Sequence, residues 1–151
     1  MKHDIENAED INKLVLSFYK KVLPDPIIGF IFTDIMQIDL NDHLPKIARF
    51  WHKILLPQTL EGKTYKGRTF EIHQHINTQC ELNEQHFQHW VFLFSQTVAE
   101  LYSGPLADIA ITRAAAIAQS MFKGLNDKRA TEHYLTKEQS GVNFFDPQDA
   151  V

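Results

Sequence analysis

Eight histidines, eleven phenylalanines, four tyrosines and two tryptophans fall within 151 residues. Imidazoles ligate metals or the iron of a large apolar cofactor, tyrosine O–H and indole N–H groups donate to small polar ligands, and phenylalanines wall the cavity between them. The commoner fate of a histidine in a helical protein is a solvated or hydrogen-bonded position, so each of the eight needs its own argument. Di-iron carboxylate chemistry requires Glu-x-x-His on facing helices. No such spacing occurs, and the near matches Glu71-x-x-Gln74 and Glu81-x-x-Glu84 lack the imidazole. His86 and His89 lie three apart beside Trp90, and with Phe87 and Trp90 on the buried face both are expected to be solvated. His-Glu-x-x-His, Gly-x-Ser-x-Gly, Gly-x-Gly-x-x-Gly and the phosphate-loop pattern are absent, which removes the hydrolase, kinase and dinucleotide readings. Cys80 is the single cysteine, so a disulfide framework and a Cys-rich metal site are excluded. The constellation left is Tyr19, His43, His73 and Trp90.

These four sit on separate elements. Ile11, Leu14, Val15, Phe18 and Val22 recur at helical spacing after an Asn7/Asp10 start, and Pro24 and Pro26 end the run. This first helix carries Tyr19. The apolar run from Ile27 to Phe32 is too short to assign by period and is read as a short helix, since no second strand exists to pair with it. Asn41 and Asp42 are good N-caps and Pro45 suits a first turn, so a helix carrying His43 is expected to begin near residue 42. Ile47, Phe50, Trp51, Ile54 and Leu55 form its stripe, and Pro57 stops it. Residues 57–67 read as an exposed loop, followed by a short segment from Thr69 to Ile76 holding His73 and His75. Phe87, Trp90, Val91, Phe94, Val98 and Leu101 repeat the stripe from Asn83 to Tyr102, and Ser103-Gly104-Pro105 closes it. Leu106, Ile109, Ala110, Ile117 and Met121 build a last helix that stops near Gly124-Leu125-Asn126. The chain beyond is polar to Ser140 and is expected to be a mobile tail. No strand alternation occurs, and the fold class read here is all-α in one domain.

Composition agrees and sets limits. Hydrophobic residues make up 44% and charged residues 23%, the usage of an ordinary folded domain. The net charge of −4, with no basic run longer than two residues, lacks the footprint of a nucleic-acid binder. No apolar stretch approaches the roughly 20 residues of a membrane span, and the N-terminus enters mixed charge at once, so a cytoplasmic protein is expected, with a monomer as the default.

Five blocks then carry a resemblance. Phe18-Tyr19-x-x-Val22, Asp25-x-x-Ile28-Gly29-x-Ile31-Phe32, His43-Leu44-Pro45-Lys46-Ile47-x-x-Phe50-Trp51, Phe70-x-x-His73 and His86-Phe87-x-x-Trp90-x-x-Leu93-Phe94 occur in this order. Together they resemble the group III truncated haemoglobins. The resemblance implies a two-over-two helical sandwich around haem b over residues 1–125, with 126–151 as a polar extension. His73 matches the proximal histidine, the axial ligand to iron, and His75 is the alternative. Tyr19, His43 and Trp90 match the polar positions of the distal pocket, and His43 can instead swing to solvent as a gate. Phe18, Phe32, Ile47, Phe50, Trp51, Phe87 and Phe94 are expected in the pocket wall, where a haem is itself part of the core. Lys46 is a candidate partner for a haem propionate. The implied function is reversible binding of dioxygen and nitric oxide, with carbon monoxide as a less favoured ligand because it gains less from O–H and N–H donors. Nitric oxide detoxification would need an external reductase. Peroxidase-like haem chemistry and a haem-free helical interaction module are the alternatives.

Overall fold

The computed structural model describes residues 1–59 and 69–126, so most of the 57–67 loop and all but the first residue of the 126–151 extension lie outside the described residues. Five α-helices carry the fold: α1 (Ala8–Val22), α2 (Leu40–Leu55), α3 (Thr69–Gln79), α4 (Glu84–Leu101) and α5 (Pro105–Asn126). A π-helical turn (Ile31–Ile35) lies between α1 and α2, and a 3-10 turn (Pro57–Thr59) follows α2. No strand occurs among the described residues, so the all-α reading stands. None of the described helices is long and apolar enough to cross a membrane.

Local chemistry sets the boundaries. Asn7 caps α1 by accepting from the Asp10 N–H at 2.9 Å, and Lys20 and Lys21 sit at the negative end of the helix dipole. The start of α2 falls two residues earlier than expected, because Asp39 is the cap and accepts from the Asn41 N–H at 3.0 Å. Pro45 therefore lies beyond the first turn, and its missing N–H leaves the exposed Asn41 carbonyl to water. The Ile27–Phe32 run becomes a tight turn leading into the π-turn, where Met36 N–H reaches back to the Ile31 carbonyl at 2.9 Å. Gln37, at φ 51°, then reverses the chain toward α2.

Helices α1 and α2 form one pair and α4 and α5 the other, with α1 packed on α4 and α2 on α5, a two-over-two sandwich. Small residues at the α5 interface, Ala107, Ala110, Ala114 and Ala118, are buried at helical spacing and let α4 approach closely. Aromatic rings fill the centre. Trp51 stacks on Phe94 at 4.7 Å, Trp90 stacks on Phe94 at 5.7 Å, and Phe18 sets its edge against both Trp90 and Phe94. Such pairs contribute roughly 0.5–1.5 kcal/mol each beyond area burial. Gly29 permits the fold-back after α1, since a Cβ there would stand 2.5 Å from the Leu23 carbonyl oxygen. Asp25 pins the same segment: its carboxylate accepts from the N–H groups of Ile27 and Ile28 at 2.8 and 3.0 Å, and pairs with His89 of α4 at 2.7 Å.

Candidate functional site

The turn pinned by Asp25, the π-turn, α3, α4 and α5 enclose an apolar cleft of about 540 Å³, counted out to its open mouth. Ile28, Ile31 and Phe32 supply one wall, His73 and Ile76 another, and Leu82, His86, Phe87, Trp90, Ile117, Ala118 and Met121 the rest. The lining matches a cofactor cleft, for such sites combine apolar walls with a few convergent polar groups. Here the polar groups are the indole of Trp90 and the imidazoles of His73 and His86.

His73 and His75 separate cleanly on α3, because residues two apart on a helix point to different faces. His73 is 7% exposed and lines the cleft, its ring 6.1 Å from that of Phe87. His75 is exposed, meets the Gln79 amide at 3.0 Å, and lines a different groove with Ile35, Met36 and Glu71. Among the described residues no group of three His, Cys, Asp or Glu side chains converges on a metal site.

Trp90, 8% exposed, has a buried Nε1–H with no hydrogen-bond partner among the described residues. Natural proteins rarely leave such a donor unpaired. The other two polar residues of the expected distal set sit elsewhere. Tyr19 and His43 are 0% and 1% exposed, and the Tyr19 hydroxyl lies 2.8 Å from His43 Nε2. Burial pushes the Tyr19 phenol well above its ordinary pKa, so it stays a neutral O–H that can donate to the imidazole. Neither residue lines the cleft; the Tyr19 ring meets the edge of Phe32, which does.

Of the expected wall, Phe32 and Phe87 line the cleft. Phe18, Ile47, Trp51 and Phe94 are buried in the adjoining core, and half-buried Phe50 sets its edge against Trp51 at 5.4 Å. Lys46 pairs with Asp42 one turn earlier on α2 at 3.5 Å.

His86 and His89 depart from the solvated positions expected of them. His89 is held by Asp25, whose partial burial opposes ionisation but is outweighed by the His89 and Ile28 hydrogen bonds, so the carboxyl titrates below its usual range. His86 is half-buried, lines the cleft, and closes a capping box on α4. The Asn83 side chain accepts from the His86 N–H at 3.0 Å, while His86 Nδ1 accepts from the Asn83 N–H at 3.1 Å. Burial holds this imidazole below the usual histidine pKa. The sequence signal existed in the Asn-x-x-His spacing at a helix start, where Glu or Gln is the usual third-position residue.

A haem fits what is present. The walls are apolar, one buried imidazole lines them, and the buried Trp90 N–H has no acceptor among the described residues. No family model matches the chain. In sequence it is 30% identical over 121 residues to the group 3 truncated hemoglobin ctb of Campylobacter jejuni, covering 78% of this chain and 90% of that protein. In structure it is similar to the crystal structure of a group III truncated hemoglobin from Campylobacter jejuni. The TM-score is 0.71 at 28% identity, and the match covers 83% of this chain and 95% of the other.

Proposed function

Because the chain belongs to the group III truncated haemoglobins, we propose that its cleft holds haem b and binds dioxygen and nitric oxide, with His73 as the axial ligand. When bound, the haem supplies an iron that takes up diatomic gases. His73 suits the axial role because its imidazole is buried against the cleft, whereas His75 faces a separate groove. The apolar walls keep bulk water from competing for the site.

The observation that carries this reading is the buried Trp90 Nε1–H, which has no acceptor among the described residues, on a side chain that lines a cleft together with an imidazole. An unmade hydrogen bond of this kind costs about 1–3 kcal/mol. A polar diatomic ligand within reach of the indole removes that cost, and carbon monoxide, being less polar, removes less of it. Tyr19 is a second neutral donor held in reserve, its hydroxyl engaged with His43. His43 thereby acts as the gate. Oxidation of nitric oxide to nitrate is the enzymatic extension of this reading and requires an external reductase. The same reading takes residues 1–125 as the globin domain of a cytoplasmic monomer, the single Cys80 suiting a reducing compartment.

The test is an absorption spectrum of the purified protein, ferric and then dithionite-reduced, with and without carbon monoxide. A Soret band that moves on adding carbon monoxide is the expected result. No band after haem is supplied would sink the gas-binding reading and leave a helical interaction module.

A further inference from the structure

Most residues lining the cleft are buried, and three, His86, Phe87 and Ile117, are only half-buried and so reach toward solvent. His86 is the one polar side chain among these three. Its ring is held in a defined state. A backbone N–H, that of Asn83, donates to Nδ1, so in the neutral imidazole Nδ1 must be the acceptor and the proton must sit on Nε2. The Phe30 ring lies against it with centroids 6.3 Å apart. The Nε2–H makes no hydrogen bond among the described residues, and His86 is therefore an oriented donor at the rim of a largely apolar cleft.

A haem is amphipathic. Its macrocycle gains from burial, whereas its two carboxylate side chains are costly to bury and must leave through the rim. We infer that His86 is a cofactor-positioning residue whose Nε2–H binds a haem carboxylate at the rim and so fixes which edge of the macrocycle faces out. This rests on the haem reading above and adds a residue that neither the gas chemistry nor the axial bond requires. Lys46, the sequence-level candidate for this task, is paired with Asp42 and does not line the cleft.

The experiment crosses the protein with the ligand. Wild type, His86→Ala and His86→Glu are titrated with haem and with haem dimethyl ester, in which both carboxylates are blocked, and affinity and the rate of haem loss to an acceptor apoprotein are measured. Glu at this helix position keeps the capping acceptor for the Asn83 N–H, so that variant guards against loss of the fold. The expected result is about a tenfold loss of haem affinity in His86→Ala, the scale of a hydrogen bond to a charged group, with the ester unaffected. A larger loss for haem, again without effect on the ester, is expected in His86→Glu from like-charge repulsion. Equal losses for both ligands would reduce His86 to a packing residue and overturn the inference. No loss for either ligand would overturn it as well. Wild-type protein that binds neither haem nor ester overturns the haem reading itself, and that outcome is distinct from the others.

Discussion

Tyr19 and His43 are buried in the core of the α1–α2 pair and satisfy each other, whereas the Trp90 indole, itself 8% exposed, lines a cleft and has no acceptor among the described residues. Both regions place polar hydrogens in apolar surroundings. In the first the hydrogen bond is complete within the chain, and the pair cross-links α1 to α2. In the second the described residues leave an N–H unsatisfied on a side chain whose cleft His73 also lines. A completed buried pair contributes stability, whereas an incomplete one leaves a donor that a bound molecule can satisfy.

The largest expected effect breaks the open side. His73→Ala should abolish stoichiometric haem retention while leaving helix content unchanged, measured by the haem-to-protein ratio and by circular dichroism. Haem that stayed bound with an unaltered axial ligand field would remove His73 from the iron and direct the same test to His75.

A smaller effect separates the two regions directly. Tyr19→Phe removes the hydroxyl that meets His43 at a site 1% exposed, and the apoprotein should lose about 1–3 kcal/mol in urea unfolding. Trp90→Phe forfeits packing but no hydrogen bond, so its signature should appear in the loaded protein as dioxygen release faster by about tenfold. If Tyr19→Phe also speeds release, the Tyr19–His43 bond opens in the liganded state and the two regions are one pocket. If it changes stability alone, they remain separate.

The smallest effect lies at the Asp25–His89 contact that pins the cleft's first wall to α4. The folded carboxyl titrates below its usual value, so its contribution is present above the ordinary carboxylate pKa and is lost as pH falls through the lower folded value. Asp25→Asn should therefore cost about 1 kcal/mol near neutral pH, with the difference from wild type vanishing in acid, as read by unfolding curves at several pH values. An equal cost at all pH values would mean that the carboxylate charge contributes nothing to the contact.

What could be read from the residues in order was the set of helices and their buried stripes. A stripe such as Ile11, Leu14, Val15, Phe18 and Val22 encodes its own face through the 3.6-residue period, and caps and prolines mark its ends to within about two residues. The Asp39 cap slipped past because Asn41 and Asp42 offered equally good side chains two residues later. The ordered blocks around Tyr19, His43, His73 and Trp90 carried the family, because they repeat residue types at fixed spacing.

Which faces meet was decided only by the packing of helices distant in sequence. His73 and His75 have the same chemistry, and only the docking of α3 beside α4 and α5 makes one a cleft residue and the other a surface residue. Tyr19 and His43, 24 residues apart, and Asp25 and His89, 64 apart, become partners through tertiary contact. His86 reads as solvated while the stripe of α4 is considered alone, and it becomes part of the rim once α5 and the turn at Ile28 close around it. Periodicity is a property of one helix, whereas a cleft exists only between several. The sequence thus determined the helices and the family by itself, and the tertiary structure decided which of the described histidines reach the site.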